Sequence, residues 1–370
     1  MQNTGQTDAA GPSGCVETRW TWTQERRLFG TPVIDKGSAY VPHSVIDDVS
    51  FVVLAAETGD EQWHYDGFPL TPRRTPTLVD DTLYLVSYSA IDAVDVHAQT
   101  SRWHIPFHLE GELSHIEGLQ PPRVANGVVY LAADPGAVLA LDADTGALRW
   151  IHDIEGLPPT VRIEGDSDEH AAVRRQGKPF APVAVTDQRV YVSSWDLSLY
   201  ALTAETGERE WAFSPGMDHL DMLHAPTVVD GAVYTQTEDA VLYVLDTETG
   251  DLLWTYDEYG ESSDGVSPVV DEESVYIIAG TSTENLFLVA LNQADGTVQW
   301  ERPVGPPFQD PVADENTIYL DQGRNVDAIE KATGELKWEL RMKSALAAPA
   351  TIVDSAIFVA DTAGSVYGVW

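Results

Sequence analysis

Histidines and aspartates occur together in one short stretch of the chain, MDHLDMLHA at residues 217–225. His219 and His224 lie close to Asp218 and Asp221 in this stretch, and imidazole and carboxylate groups are common metal ligands. The same composition also fits polar residues of an exposed loop. We therefore take His219 and His224 as candidate binding residues and predict no metal site.

The usual sequence signatures of catalysis are missing from the chain. It contains no phosphate-binding P-loop, no G-x-S-x-G elbow and no H-E-x-x-H zinc motif. Its single cysteine, Cys15, excludes intrachain disulfides and cysteine-rich zinc sites. His104 and His108 have the spacing of a helical metal pair, but Pro106 between them disfavours that helix. No catalytic residue is predicted.

Paired arginines are the clearest candidates for binding. Three Arg-Arg pairs occur, and a guanidinium group binds a carboxylate through two parallel hydrogen bonds. They suit an acidic protein or peptide-like partner, and neutralisation of nearby aspartates is the simpler alternative. The predicted partner-binding residues are Arg26, Arg27, Arg73, Arg74, Arg174, Arg175, His219 and His224.

These cations are notable because the chain is strongly acidic. It has 59 Asp and Glu residues against 21 Lys and Arg, which gives a formal charge of −38. Such a charge repels nucleic acid and anionic lipid, so neither is an expected partner. The charge fits an ordinary acidic surface or, as we favour, adaptation to molar salt as in halophilic archaea. No apolar run is long enough for a membrane-spanning helix.

An internal repeat sets the elements that must position these residues. Eight prolines recur about every 45 residues, and each is followed by an apolar–aromatic pair such as Val129-Tyr130. Alternation such as VLALD at 138–142 is typical of strands rather than helices. The eight prolines are Pro32, Pro76, Pro122, Pro182, Pro226, Pro268, Pro311 and Pro349.

A tryptophan ends most units of the repeat. Six tryptophans lie four residues after a glycine, as Trp150 follows Gly146, and the glycine suits a tight hairpin turn. Trp103 belongs to a shortened copy with Thr100-Ser101 in place of the turn. Each unit is then four short strands whose last indole packs on the next unit. The predicted structural tryptophans are Trp22, Trp63, Trp103, Trp150, Trp211, Trp254, Trp300 and Trp338.

The size and number of these units predict the fold. Four-stranded units arranged radially form a β-propeller, which leaves only short sheet edges. We predict an all-β, eight-bladed propeller of antiparallel four-stranded blades over residues 17–370. The last unit stops after its third strand, so the strand containing Trp20 and Trp22 is expected to complete it and close the ring. Residues 1–16 are expected to form a disordered leader.

Three segments carry a resemblance to a known family: ALDADTGALRW at 140–150, ALTAETGEREW at 201–211 and VLDTETGDLLW at 244–254. They resemble the tryptophan-docking repeat of quinoprotein propellers, which include pyrroloquinoline-quinone (PQQ) alcohol dehydrogenases and BamB-like assembly factors. Such dehydrogenases carry a vicinal cysteine pair and a Ca²⁺ site of Glu, Asn and Asp, and neither can be placed on this sequence.

We therefore expect a non-enzymatic, BamB-like scaffold without a cofactor. A dehydrogenase that uses PQQ and Ca²⁺, and a sensor that binds a sugar or another ligand, stay open as alternatives. The resemblance also implies a cell-surface or extracellular location. Residues 1–15, however, have neither the basic nor the apolar region of a signal peptide.

Repeat symmetry places the candidate binding residues on one face of the ring. The segment from each tryptophan to the next proline connects two blades, and all such segments emerge around one mouth of the central channel. The longest of them, residues 151–181, is the expected place for a partner or a lid.

Overall fold

The computed structural model consists of strands joined by turns and loops. It describes residues 6–7, 9–12, 16–24, 28, 30–44, 49–68, 75–87, 90–107, 119–133, 136–154, 181–194, 196–215, 224–259, 266–282, 284–306, 309–353 and 355–370. Within these ranges there is no helix, and so none that could cross a bilayer.

The described residues form 32 strands in eight four-stranded antiparallel sheets, which confirms the predicted propeller. Blade one contains β2 (Val33–Asp35), β3 (Ser38–Ser44), β4 (Val49–Ala55) and β5 (Glu61–Phe68). Blade two contains β6 (Thr77–Val79), β7 (Thr82–Val86), β8 (Ala90–Asp95) and β9 (Thr100–Pro106). Blade three contains β10 (Arg123–Ala125), β11 (Val128–Ala133), β12 (Ala137–Asp142) and β13 (Leu148–Asp153). Blade four contains β14 (Ala184–Val185), β15 (Arg189–Ser193), β16 (Leu199–Thr203) and β17 (Arg209–Phe213).

The second half of the ring repeats this order, and its last blade is completed by the N-terminal strand. Blade five contains β18 (Thr227–Val229), β19 (Ala232–Gln236), β20 (Leu242–Asp246) and β21 (Leu252–Tyr256). Blade six contains β22 (Val269–Val270), β23 (Ser274–Ser282), β24 (Asn285–Asn292) and β25 (Val298–Val304). Blade seven contains β26 (Val312–Ala313), β27 (Thr317–Asp321), β28 (Asn325–Glu330) and β29 (Leu336–Arg341). Blade eight contains β30 (Thr351–Val353), β31 (Ala356–Ala360), β32 (Ser365–Val369) and β1 (Thr18–Thr23), so the N-terminal strand closes the ring as predicted.

The hydrophobic core lies between the blades. The two middle strands of a blade are covered on both faces, so their residues are apolar on both sides, and β11 is buried along its whole length. Ile91 of blade two packs with Val129 and Leu139 of blade three in one such layer. The fourth strand has a neighbour on one edge only and is more exposed, and in β25 exposed and half-buried residues alternate.

The tryptophans of the fourth strands pack on the next blade, at the turn between its third and fourth strands. Trp150 Nε1 donates to the Ala204 carbonyl oxygen at 2.9 Å. A Cβ added to Gly207 would lie 2.4 Å from Trp150 Cε3, and Gly207 has a φ of +72°, so the close approach and the backbone both require glycine. The rings of Trp103, Trp211, Trp254 and Trp300 lie equally close to a turn glycine of the next blade.

In the closing strand β1, the tryptophan that packs on the next blade is not the predicted one. Trp20, not Trp22, lies at the turn of blade one: its Nε1 donates to the Ala56 carbonyl oxygen at 2.9 Å and its ring lies against Gly59. The register explains the correction. Trp20 pairs with Gly368 of β32, the residue opposite Phe358, just as Trp150 pairs with Ala140 opposite Tyr130. A Cβ at Gly368 would lie 2.3 Å from the Trp20 ring, so the glycine leaves room for the indole.

The shortened turn of blade two also differs from the prediction. Gln99 has a φ of +57°, and its backbone N–H donates to the Asp95 carbonyl oxygen at 2.8 Å. Gln99 lies four residues before Trp103, so it takes the place that glycine has in other blades. Thr100-Ser101 instead begins strand β9.

Part of the segment 1–16 packs on the ring, in contrast to the expected disordered leader. Its residues 6, 7 and 9–12 are called the N-terminal strap below. The Pro12 carbonyl oxygen accepts a hydrogen bond from Trp338 Nε1 at 3.4 Å, and Gly11 N–H donates to Asp314 Oδ2 at 2.8 Å. Blade eight takes its fourth strand from the chain start and lacks the usual turn, so the strap supplies the acceptor for Trp338.

The two faces of the ring carry different connections. On the mouth face, the described end of a fourth strand lies beside the turn between the second and third strands of its blade. Ile154 N–H, for example, donates to the Gly136 carbonyl oxygen at 2.6 Å. The opposite face carries the remaining turns, joined by bonds such as Ala143 N–H to the Gly127 carbonyl oxygen at 3.0 Å.

Candidate functional site

The first strands surround a cavity of about 510 Å³ on the mouth face. Described residues from seven of the eight blades line it, which agrees with the predicted convergence of the connecting loops around one mouth. Small and uncharged residues dominate the walls. The prolines that open the first strands or adjoin them contribute Pro121, Pro182, Pro268, Pro311 and Pro349.

Proline suits the start of a first strand because that position needs no backbone donor. Its carbonyl oxygen is then used to join neighbouring blades. Thr77 Oγ1 of blade two donates to the Pro122 carbonyl oxygen of blade three at 2.7 Å. Thr227 Oγ1 of blade five donates to the Pro268 carbonyl oxygen of blade six at 2.9 Å. These bonds fix the rim of the cavity.

Two charged residues stand out in the described lining, Arg123 and Asp310. Arg123 is the first residue of β10 in blade three, at the strand position that Thr77 has in blade two. Asp310 directly precedes Pro311 of blade seven, and its Oδ1 accepts a hydrogen bond from Ser267 N–H at 2.7 Å. Blades three and seven are four positions apart in a ring of eight, so the two charges face the channel from opposite sides.

The channel wall changes the protonation equilibria of both groups. Burial of the Arg123 guanidinium lowers its pKa to about 10, an effect that the negative charge of Asp310 opposes. Burial raises the pKa of Asp310, while the hydrogen bonds from Ser267 and then the charge of Arg123 lower it. The Asp310 side chain remains accessible to solvent through the mouth although protein surrounds it. Because its pKa of about 10 lies well above 7, Arg123 is cationic at neutral pH.

Most of the predicted partner-binding residues lie outside the described residues. These are Arg26, Arg27, Arg73, Arg74, Arg174, Arg175 and His219, together with the central part of the long loop 151–181. Their place on the mouth face stays a prediction from repeat symmetry.

His224 is described and differs from the exposed loop residue that was expected. Its side chain is 2% exposed, and burial lowers its pKa to about 4. Its backbone is held on both sides: the N–H donates to the Gln236 carbonyl oxygen at 2.8 Å, and the carbonyl oxygen accepts from Ser193 Oγ at 2.7 Å. His224 is thus a neutral core residue near the mouth and does not present itself to a partner.

Sequence reasoning missed Arg123 and Asp310, although the repeat alignment contains the signal. The residues directly after the eight opening prolines are apolar or threonine except for Arg123. The residues directly before those prolines are uncharged except for Asp310. Alignment of the repeats by their prolines, followed by a search for the exceptional residue, would have found both.

The described mouth residues do not fit a site for PQQ and Ca²⁺. Across the part of the chain that the structure describes, no three His, Cys, Asp or Glu side chains lie together as metal ligands. The described lining of the mouth contains one carboxylate, Asp310, which accepts a hydrogen bond from Ser267 N–H. A vicinal cysteine pair is impossible with Cys15 as the single cysteine. No step through a quinone is therefore derived.

Comparison with known proteins identifies a curated relative that aligns with most of the chain. Outer membrane protein assembly factor BamB of Xanthomonas campestris is 36% identical over 270 residues, which are 69% of this chain and 62% of that protein. The chain spans less than two thirds of the curated relatives it matches.

Solved structures share the fold at low identity. The crystal structure of BamB from Moraxella catarrhalis superposes with a TM-score of 0.68 and 17% identity, covering 96% of this chain and 99% of that one. Quinohemoprotein alcohol dehydrogenase from Comamonas testosteroni superposes with a TM-score of 0.74 and 16% identity, covering 96% and 76%. At such identities the likeness shows the fold alone.

A family model decides the assignment, because it matches almost the whole propeller. The model described as outer membrane protein assembly factor BamB matches residues 16–167, 169–311 and 288–369. With its repeated tryptophan turns and eight closed blades, the chain belongs to this BamB family of β-propellers.

Proposed function

We propose that this protein is a non-enzymatic scaffold that binds a protein or peptide-like partner on its mouth face. The observation that carries the proposal is the cavity of about 510 Å³ where seven blades converge. Its described lining pairs one cation with one anion, whereas the chain as a whole has a formal charge of −38. A mouth whose described charges balance does not repel an acidic partner as the rest of the surface does, and Arg123 offers such a partner a cation to bind.

Family membership supports a partner-binding function. Assembly factor is the description of the family and of its Xanthomonas relative, and its extension to this chain is part of the proposal. The predicted arginine pairs of the connecting loops would add cations around the same mouth and bind carboxylates of the partner.

Two matched sets of four arginines test this proposal. The first set, Arg73, Arg74, Arg174 and Arg175 replaced by serine, removes the predicted mouth-face cations. In the second set, four arginines near the opposite-face ends of their strands are replaced by serine: Arg102, Arg149, Arg189 and Arg209. Both sets change the net charge equally.

The readout is capture of partner proteins from the producing cells by the immobilised chain, with the melting temperature as a check on folding. We expect the first set to abolish capture and the second to leave it intact. Equal capture by both sets, or loss with the second set alone, would contradict the proposal.

The dehydrogenase alternative has its own test. The purified chain is titrated with PQQ and Ca²⁺, desalted, and assayed with alcohols and an artificial electron acceptor. We expect neither a retained quinone absorbance band nor turnover, since the described mouth does not provide the ligands. A band that survives desalting together with turnover would overturn the scaffold proposal.

A further inference from the structure

The charged pair of the mouth has a geometry that suggests a ligand. Arg123 and Asp310 face one cavity from opposite blades, and the lining between them is mostly proline, alanine, threonine and glycine. Opposite charges on the two sides of a described lining that is otherwise uncharged match a molecule with a carboxylate at one end and an ammonium at the other. The cavity volume of about 510 Å³ is typical of sites for small ligands.

The backbone of Arg123 and the side chain of Asp310 are each held by a hydrogen-bonded contact within the propeller. Arg123 begins strand β10, which pairs with β11 through Arg123 and Tyr130. Asp310 is fixed by the 2.7 Å hydrogen bond from Ser267 N–H of the neighbouring blade. The anchored backbone of Arg123 and the fixed carboxylate of Asp310 reduce the conformational entropy that is lost when a ligand binds both.

We propose that the mouth cavity binds a short zwitterionic peptide, with its carboxylate on Arg123 and its ammonium group on Asp310. The inference rests on the proposed function, because it specifies the peptide-like partner of the same face. A guanidinium group binds the carboxylate through parallel charged hydrogen bonds, and the partly buried setting of Arg123 strengthens this ion pair relative to bulk water. If Arg123 and Asp310 only neutralised each other, the cavity would not prefer a peptide that carries both end charges.

Isothermal titration calorimetry with trialanine tests the proposal at neutral pH. N-acetyl-trialanine and trialanine amide each lack one of the two end charges. We expect trialanine to bind and each blocked peptide to bind about tenfold more weakly or worse, as for a lost charged hydrogen bond. Absence of binding, or equal binding of all three peptides, would overturn the proposal.

Two variants test which residue binds which end of the peptide. In Arg123→Gln, amidation of the peptide should no longer weaken binding, whereas acetylation should still do so. In Asp310→Asn the two effects should be exchanged. Arg189→Gln, in the cavity of the opposite face, is the matched control and should keep the wild-type preferences.

Asp310→Asn keeps the test decisive if Arg123→Gln fails to fold, since Asp310 is solvent-accessible. Unchanged discrimination against the acetylated peptide in Asp310→Asn would by itself refute the assignment. Partner capture that depends on the mouth face but is unaffected by Asp310→Asn, with no trialanine binding, would end this inference and leave the proposed function standing.

Discussion

The two faces of the ring use charge and packing differently. Among the described residues that line the mouth cavity, Arg123 and Asp310 are the charged ones. A second cavity of about 410 Å³ on the opposite face is lined by Asp187, Asp230, Glu248 and Arg189, and Arg189 is already bound to Glu210. The opposite face also carries the tryptophan contacts that fix neighbouring blades.

This difference separates stability from recognition. Contacts on the opposite face recur from blade to blade, so the repeat itself explains them as structural. The charges of the mouth break the repeat at one blade each, and no recurring structural need accounts for them. Substitutions on the opposite face should therefore change stability, and substitutions at the mouth should change binding.

Salt should have the largest effect, because it acts on the charge of the whole chain. If the −38 reflects adaptation to molar salt, screening should raise the melting temperature on the order of 10 °C between dilute buffer and molar KCl. Calorimetry across KCl concentrations measures it. A flat profile above about 0.2 M would assign the charge to an ordinary acidic surface.

Removal of residues 1–30 should have the second-largest effect on stability. It deletes the closing strand, the Trp20 contact with blade one and the strap that covers Trp338. Loss of buried aromatics costs several kcal/mol, which is comparable to the whole stability of many domains. Chemical denaturation of the truncated chain measures the loss. A truncated ring that melts within a few degrees of the full chain would disprove closure by the N-terminus.

The buried His224 should make stability sensitive to pH. Its pKa is about 4 when folded and about 6.5 when exposed, so unfolding takes up a proton between these values. Stability present above pH 6.5 is therefore lost as the pH falls toward 4, by roughly 3 kcal/mol in total. Denaturation of wild type and His224→Gln across this range tests the prediction. Equal slopes for the two proteins would contradict it.

A pair of glycines isolates the tryptophan contact. Gly207 and Gly127 have nearly equal φ angles, +72° and +71°, but only Gly207 has a tryptophan where a Cβ would go. Both alanine variants carry the backbone strain, so Gly207→Ala should lose about 2 kcal/mol more, the cost of displacing the Trp150 ring. Equal losses in urea denaturation would show that the contact contributes nothing.

The repeat predicted the fold well, because each unit contains the local sequence signals for its own strands and turns. The eight prolines predicted the number of blades, and the incomplete last unit predicted ring closure by β1. Details that depend on contacts between distant segments were not predictable in the same way. The choice of Trp20 over Trp22 depends on Gly368 at the other end of the chain, and the strap depends on an acceptor missing from blade eight.

The candidate site was harder to predict because its residues are exceptions to the repeat. Arg123 and Asp310 lie almost two hundred positions apart, and only the ring brings them to one cavity. His224 was expected to be exposed because it shares a short stretch with Asp218, His219 and Asp221. Its backbone is anchored by Ser193 of blade four and Gln236 of blade five, contacts that the local sequence does not indicate.

Site-specific photocrosslinking tests the binding of a partner by the mouth most directly. A photoreactive phenylalanine analogue is placed at Gln309 in the mouth or at Leu253, which is 53% exposed at the opposite-face end of β21. The chain carrying each probe is irradiated with extract of the producing cells. We predict a discrete protein adduct from Gln309 and none from Leu253. An adduct from Leu253 alone, or the same adduct from both positions, would contradict the account.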